Sequence, residues 1–366
     1  MHVILVFTYG ISLKSWDESG ILNREIELYK RMNKYEKIQY TFVTFGDKED
    51  EKYSDLFEGL TIVPIYKLHK KSKLKIIDFI KATTIAKSIL KNTSKPTHIK
   101  TNQLNGSWIA MMIKFHSKLP LYIRTGYNLY EFAIREKKNF AKKIFYYLLT
   151  QVGLLYADKY SVTSFSDKNF LEKYFITKDV EVIPNWVLDI KECPYENRYE
   201  NKIISVGRLE PQKNFQSIVK SLSATNIQID IVGEGSEKYS LEKLAVSSNT
   251  NLRFLGRLRH SELNKLYLDY RIFVLSSNFE GNPKVVLEAM SRGVLVIARR
   301  SKNIEEIIEN NHDGILFDHN GEIHELIKFF LNNKEEWERI VLNAYNKVKD
   351  KNLIEKIINK EKTFYI

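Results

Sequence analysis

The sequence predicts an α/β protein of two doubly wound parallel-sheet domains facing each other across a cleft. Three observations carry this. Short apolar runs alternate with longer amphipathic segments in both halves, as when crossover helices join parallel strands. At 366 residues the chain is longer than one typical domain, and two is the natural division. A polar stretch with two prolines, Ile183–Lys202, separates the halves. The domains are drawn at residues 1–185 and 203–333, with a linker at 186–202 and a helical, charged tail at 334–366.

In the first half the expected strands are His2–Thr8, Gln39–Phe45, Leu60–Ile65, His98–Thr101, Leu121–Arg124, Lys159–Thr163 and Val180–Pro184. The helices between them are Ser19–Met32, Leu74–Leu90, Gly106–Lys118, Tyr130–Tyr156 and Asp167–Phe175. The second half opens on the apolar run Ile203–Val206 and continues as a similar unit to about Leu331. No internal repeat or low-complexity tract is present.

Two segments of the second half carry the chemistry. The first is EGNPKVVLEAM, Glu280–Met290. It follows RIFVLSS, which reads as a buried strand, and its Gly-Asn-Pro turn opens a helix. Strand, tight turn and helix place backbone N–H groups where an anion is favoured. Pro283 suits the first helical position. Glu288, one to two turns into the helix, suits the hydroxyls of a ribose or sugar attached to that anion. The second segment is IISVGRLEPQKNF, Ile203–Phe215. Gly207 lets the chain turn at the strand end, and Arg208 and Lys213 follow. Arginine forks onto phosphate oxygens and lysine adds a mobile point charge, so the pair suits a diphosphate.

These segments, with IQIDIVGEGSEKYSLEKLA, NLRFLGRL and EEIIENNHDGILF in that order, resemble the C-terminal half of family 4 glycosyltransferases. The resemblance covers most of Ile203–Phe317. It implies the GT-B fold, two Rossmann-like domains, with donor held by the C-terminal domain and acceptor by the N-terminal one. It also implies a retaining enzyme that needs no metal and uses a nucleoside diphosphate sugar, with uridine the commonest base in such families. Arg208 and Lys213 would neutralise the diphosphate at the turn of Gly207. Glu288 would bind the ribose and Glu280 the donor sugar. Amides of Gly281, Asn282, Lys284 and Val285 would touch sugar and phosphate. Gly233 would line the nucleotide side, and Gly256 and Arg257 would lie near the base. The tail, as in other GT-B enzymes, would cross back to the first domain.

A dinucleotide-binding oxidoreductase is disfavoured. In Val232–Lys238, Gly233 and Gly235 are present, but Lys238 occupies the third glycine's place in G-x-G-x-x-G. The chain lacks a strand-end DxD triplet and a clustered His/Cys/Asp ligand set, so no metal is expected. A sugar-nucleotide epimerase of similar fold would need histidine and carboxylates around the donor, and a nucleic-acid-binding protein would carry a recognisable motif; neither signature is evident.

For the acceptor, three first-domain segments follow strands: Tyr9–Gly20, Thr101–Trp108 and Arg124–Asn128. Asn102, Gln103, Arg124 and Tyr127 suit sugar hydroxyls, Trp16 and Trp108 a sugar ring, and Gly20 the turn that replaces the family's Gly-Gly. RTGYN stands where many family members carry a histidine, which departs from the pattern. The expected acceptor is a glycan or lipid-linked saccharide of cell-surface polysaccharide synthesis.

The net charge of +12 points to an anionic partner. From Tyr66 to Lys100 there are ten lysines and one acidic residue, Asp78, and Glu136–Tyr156 is a second basic-aromatic stretch. Lysine beside apolar residues suits an anionic membrane surface. No run reaches the ~18–20 apolar residues needed to span a bilayer. The single cysteine, Cys193, and MHVILVFTYG, which lacks a basic start and has too short an apolar core for a secretory signal, suit a cytoplasmic protein, peripheral at the inner membrane face.

Overall fold

The computed structural model describes residues 1–71, 80–190 and 196–365. Cys193 and the expected helical turns at Leu74–Phe79 lie outside the described residues. The chain divides into two compact units, Met1–Ile183 with Ile358–Ile366, and Pro184–Ile357.

Unit 1 is built on seven parallel strands: β1 (His2–Val6), β2 (Gln39–Thr44), β3 (Leu60–Pro64), β4 (His98–Thr101), β5 (Leu121–Arg124), β6 (Lys159–Val162) and β7 (Val180–Val182). Their spatial order is β3-β2-β1-β4-β5-β6-β7. Helices cover both faces, so the strands read as near-continuous apolar runs, and Val3, Ile4, Leu5 and Val6 are all fully buried. The order reverses between β1 and β4. Ile4 lies opposite Thr41 on one side and Ile99 on the other.

The loops leaving that point are stitched together. Asn102 N donates to Val6 O at 2.9 Å, and Tyr9 N donates to Asn105 O at 2.8 Å. Gly106, at φ 106°, allows this approach; a Cβ there would stand 2.9 Å from Tyr9 N.

Two helices differ from expectation. The loop expected at Tyr9–Gly20 contains a helix, Leu13–Glu18, because Ser12 and Ser15 form a reciprocal cap. The helix expected at Tyr130–Tyr156 is split into Leu129–Arg135 and Phe140–Tyr156. Lys137 takes a left-handed conformation, and the Asn139 side chain accepts from Lys142 N at 3.0 Å to begin the second helix.

Unit 2 has six parallel strands: β8 (Tyr199–Val206), β9 (Gln228–Val232), β10 (Leu252–Gly256), β11 (Tyr270–Leu275), β12 (Leu295–Arg299) and β13 (Ile315–Phe317). The order is β10-β9-β8-β11-β12-β13, reversing between β8 and β11. Strand β8 begins four residues before the expected Ile203. Arg198, buried just ahead of it, donates to Tyr270 O at 2.7 Å and to Arg292 O at 2.8 Å. Residues 196–202, expected as linker, therefore belong to this unit. Much of the tail does too. Helix Lys334–Lys351 buries Trp337, Ile340, Val341, Ala344 and Val348 in the cores of unit 2, and only Ile358–Ile366 belongs to unit 1.

Asp230, on β9, ties the neighbouring β10 to β11 across β8. The Arg253 fork donates to it at 2.8 and 2.7 Å, and Tyr270 donates its hydroxyl. Burial pushes the Asp230 carboxyl up, but the hydrogen bonds from Arg253, Tyr270 and Gln228 outweigh it and hold it below the ordinary carboxylate range. A depressed folded value means stability that is present above the unfolded value, ~4, and lost as pH falls through the folded one. Thermal melting of the wild type should therefore show an acid-side loss that Asp230→Asn lacks; identical pH profiles would refute the assignment.

Candidate functional site

In open parallel sheets, ligands bind beyond the carboxyl ends of the strands where the order reverses. In unit 2 that point lies between β8 and β11. The loops leaving these two strands, Gly207–Asn214 and Ser276–Pro283, carry both motifs singled out in the sequence.

The two loops are joined by a ladder of hydrogen bonds. Asn278 N donates to Gln212 O at 2.8 Å, and Gln212 Nε2 donates to Phe279 O at 2.9 Å. Ser276 Oγ lies 3.0 Å from Lys213 O and 2.9 Å from Asn214 O. Asn214 is left-handed at φ 51°, which turns the chain into the helix Phe215–Ser221. The ladder sets Lys213 Nζ 2.5 Å from Glu280 Oε1, in a largely buried ion pair. An ammonium has three N–H groups, so one spent on Glu280 leaves two for other acceptors. Arg208 is exposed at the exit of β8, and no side-chain hydrogen bond or ion pair holds its guanidinium among the described residues.

Gly207 and Gly233 make room for this arrangement. A Cβ on Gly207 would come within 3.2 Å of the Lys213 stem. Gly233, at φ 141°, passes so close to the β8 exit that its Cβ would fall 1.9 Å from Gly207 O. Gly233 N donates to Gly256 O at 2.8 Å, tying the ends of β9 and β10. The first need for Gly233 is therefore backbone contact. Gly256 turns at φ 67°, and exposed Arg257 pairs with Glu234 at 3.0 Å.

The helix after Glu280 runs from Lys284 to Ser291. Pro283 occupies the cap position rather than the first helical one, with φ −72°. Buried Asn282 holds the turn: its Oδ1 accepts from Asn185 N at 3.3 Å and its carbonyl from Asn185 Nδ2 at 2.5 Å. Gly281 is buried beside it, and Val285 O accepts from Tyr267 Oη at 3.4 Å. Lys284 Nζ lies 4.0 Å above the Trp186 ring.

Glu288 is 2% exposed, and its Oε1 lies 3.3 Å from His260 Nε2. Sequence reasoning missed His260. A lone histidine three residues after Arg257 carries no motif, and only the fold brings the helix His260–Leu266 against Glu288.

The unit 1 candidates fare differently. Trp16 lies on a helix rather than a loop and is buried against Phe7, with ring centroids 4.4 Å apart. Trp108 is also buried, packed on Tyr9 at 5.3 Å. Burial of these large apolar rings corrects the expectation of sugar-stacking loop aromatics. Arg124 is buried in β5, 3.6 Å from Glu361 Oε2, and that commitment removes it from the acceptor candidates. Asn102, Gln103, Tyr127 and Gly20 are partly exposed. Gln103 Oε1 accepts from Gly126 N at 2.8 Å, and Asn102 Oδ1 from Tyr29 Oη at 3.3 Å. Among the described residues, Glu309, His312 and Asp313 are the one group with metal-ligand proximity, but Lys347 Nζ already pairs with Asp313 at 2.6 Å.

Residues 190–347 match the family described as Glycosyl transferases group 1. The chain is 28% identical over 213 residues to the GalNAc-α-(1→4)-GalNAc-α-(1→3)-diNAcBac-PP-undecaprenol α-1,4-N-acetyl-D-galactosaminyltransferase of Campylobacter jejuni, covering 55% of this chain and 58% of that one. It is 29% identical over 192 residues to an uncharacterised glycosyltransferase of Haemophilus influenzae, covering 49% and 53%. The chain thus spans about half the length of the curated relatives it matches. Among solved structures, sucrose-phosphate synthase from Thermosynechococcus elongatus superposes with a TM-score of 0.84 at 15% identity, covering 100% of this chain and 98% of that one. That likeness shows the fold, GT-B. Over residues 190–347, the chain is similar to the group 1 glycosyl transferases.

Proposed function

We propose that the protein transfers a sugar from a nucleoside diphosphate sugar to a hydroxyl of a glycan or lipid-linked saccharide, with retention of anomeric configuration and without a metal. The observation that carries this reading is the convergence of Arg208, Lys213 and Glu280 at the strand-order reversal of unit 2. As the donor bond breaks, negative charge grows on the departing diphosphate. Arg208 and the remaining N–H groups of Lys213 meet that charge from a preorganised frame. Glu280, fixed by Lys213, accepts from a donor-sugar hydroxyl, and Glu288 accepts from the ribose. The Campylobacter relative, named for an undecaprenol-linked substrate, supports a lipid-linked acceptor.

The deciding experiment incubates the protein with uridine, guanosine and adenosine diphosphate sugars, with and without saccharide acceptors. Acceptor-dependent release of one nucleoside diphosphate is expected, unaffected by EDTA, with the product's anomeric configuration read by NMR. Uridine is the base expected. Conversion of the sugar nucleotide without acceptor would make it an epimerase instead.

The two glutamates should separate in their effects. Glu288→Gln should weaken free nucleotide and donor alike, because both carry the ribose. Glu280→Gln should leave free nucleotide binding near wild type and mainly lower transfer. Equal loss of free nucleotide binding in both variants would overturn this division.

The proposed setting is an anionic membrane surface. No helix among the described residues is long and apolar enough to cross a bilayer. Exposed lysines such as Lys70 and Lys71 in unit 1 are suited to anionic head groups. Co-sedimentation with vesicles should rise with anionic lipid and fall with salt, since exposed charges are screened over ~8–10 Å at physiological ionic strength. Equal binding to neutral vesicles would remove the electrostatic term.

A further inference from the structure

We propose that an apolar groove on unit 1 binds the hydrocarbon chain of an anionic lipid-linked acceptor; the inference rests on the glycosyltransferase reading above. The groove has a volume of about 490 Å³ and is walled by Ile80, Trp108, Met112, Phe145, Leu148 and Val152, among others. Its outer wall is the helix Phe140–Tyr156. That helix buries Leu149, Gly153 and Leu154 toward the sheet. It nevertheless leaves Phe140 (78% exposed), Leu148 (54%) and Val152 (49%) in solvent, with Ile144, Phe145 and Leu155 also exposed. A helix apolar on both faces is ordinarily covered on both. A contiguous apolar patch of this kind marks a binding surface.

Charge and position choose the occupant. Lys81, Lys137, Lys142 and Lys143 flank the groove in sequence, and none has an acidic partner among the described residues. Four uncompensated cations beside an apolar trough match an amphiphile with an anionic head. Position agrees. Crossover helices run antiparallel to the strands they join, so the first turn of Phe140–Tyr156 lies at the carboxyl edge of the sheet. Trp108, in the groove wall, packs on Tyr9 of the loop after β1 and lies 6.2 Å from the Phe145 ring. The groove thus opens on the edge that carries Asn102, Gln103 and Gly126. A lipid-linked saccharide seated there lays its chain in the trough and its phosphate among the lysines. Its sugar then reaches the polar loops at the reversal of strand order.

The test titrates the full chain with a brominated dodecyl phosphate below its micellar concentration and reads tryptophan fluorescence, since bromine quenches only at contact. Inorganic phosphate and a brominated dodecyl maltoside serve as controls. Saturable quenching by the dodecyl phosphate is expected, with weaker binding of the maltoside and none of phosphate alone. Trp108→Phe should bind in calorimetry but lose most of the quenching. Leu148→Glu/Val152→Glu should bind roughly tenfold more weakly or worse, because the chain would then lie against carboxylates. Both sites are half-exposed, so nucleoside diphosphate binding and far-ultraviolet circular dichroism should match wild type. Unchanged amphiphile affinity in the double variant would overturn the proposal. So would full quenching in Trp108→Phe, or a wild-type dimer that the double variant dissociates. No saturable amphiphile binding by the wild type, with transfer to a soluble saccharide intact, would overturn the groove alone. Amphiphile binding with no consumption of any sugar nucleotide would instead overturn the acceptor reading on which it rests.

Discussion

Lys213→Ala is expected to lower kcat by roughly 10²–10³-fold, the cost of removing one preorganised contact to developing charge. The same change frees Glu280, which is largely buried and pairs with Lys213 at 2.5 Å, so the donor-sugar side should suffer as well. Arg208→Ala should act differently. Arg208 is exposed and joined to no carboxylate among the described residues, so its loss removes a phosphate contact without disturbing the frame. Calorimetry with a nucleoside diphosphate should show a loss of roughly 1.5–3 kcal/mol for Arg208→Ala, the value of a charge-assisted hydrogen bond. Unchanged nucleotide affinity and turnover in both variants would remove the diphosphate from these residues. Lys213→Arg offers a sharper test, because a planar fork cannot replace a compact ammonium between Glu280 and an anion.

Glu361→Ala is expected to cost about 3–5 kcal/mol of stability, the penalty for leaving buried charge unpaired. Glu361 and Lys100 are both fully buried and joined by an ion pair, and Arg124 Nη1 lies 3.6 Å from Glu361 Oε2. Removing the carboxylate would strip Arg124 and Lys100 of their shared partner in the interior, where burial already pushes the Lys100 ammonium well below the ordinary lysine range. Around them stand Tyr29, Tyr40, Tyr122 and Tyr365, whose phenols burial pushes above the ordinary tyrosine range. Phe364 stacks on Tyr122 at 4.1 Å, and Lys362 pairs with Glu36 at 3.1 Å. The chain's last residues thus hold the sheet of unit 1 through charge and aromatic contact together. Lys100→Met should be milder, because Glu361 keeps Arg124. Thermal unfolding of both variants, with nucleotide binding as a reporter for unit 2, checks this order; equal melting temperatures for Glu361→Ala and wild type would refute the role.

Much of the fold was legible because its signals are local. Parallel strands buried on both faces read as apolar runs, and β4 and β5 fall on the expected residues. The Asn139 cap and the Ser12 box are local too, but periodicity drew one helix through the first and a loop over the second. The pieces of the proposed donor site were also legible, because turn glycines, a proline before a helix and two cations at a strand end each need only a few neighbouring residues.

What the sequence by itself determined was the alternation of strand and helix, the two-unit plan, and the identity and order of the motif residues from Gly207 to Glu288. Only the tertiary structure decided what each side chain is committed to. Sheet order brings Lys213 to Glu280 across 67 residues, Arg124 to Glu361, and His260 to Glu288. It turns Gly233 from a loop glycine into the point where two backbones touch, and it buries Trp16 and Trp108. The reason is physical: propensity and periodicity act over one or two turns of chain, whereas burial and charge pairing depend on which strands become neighbours.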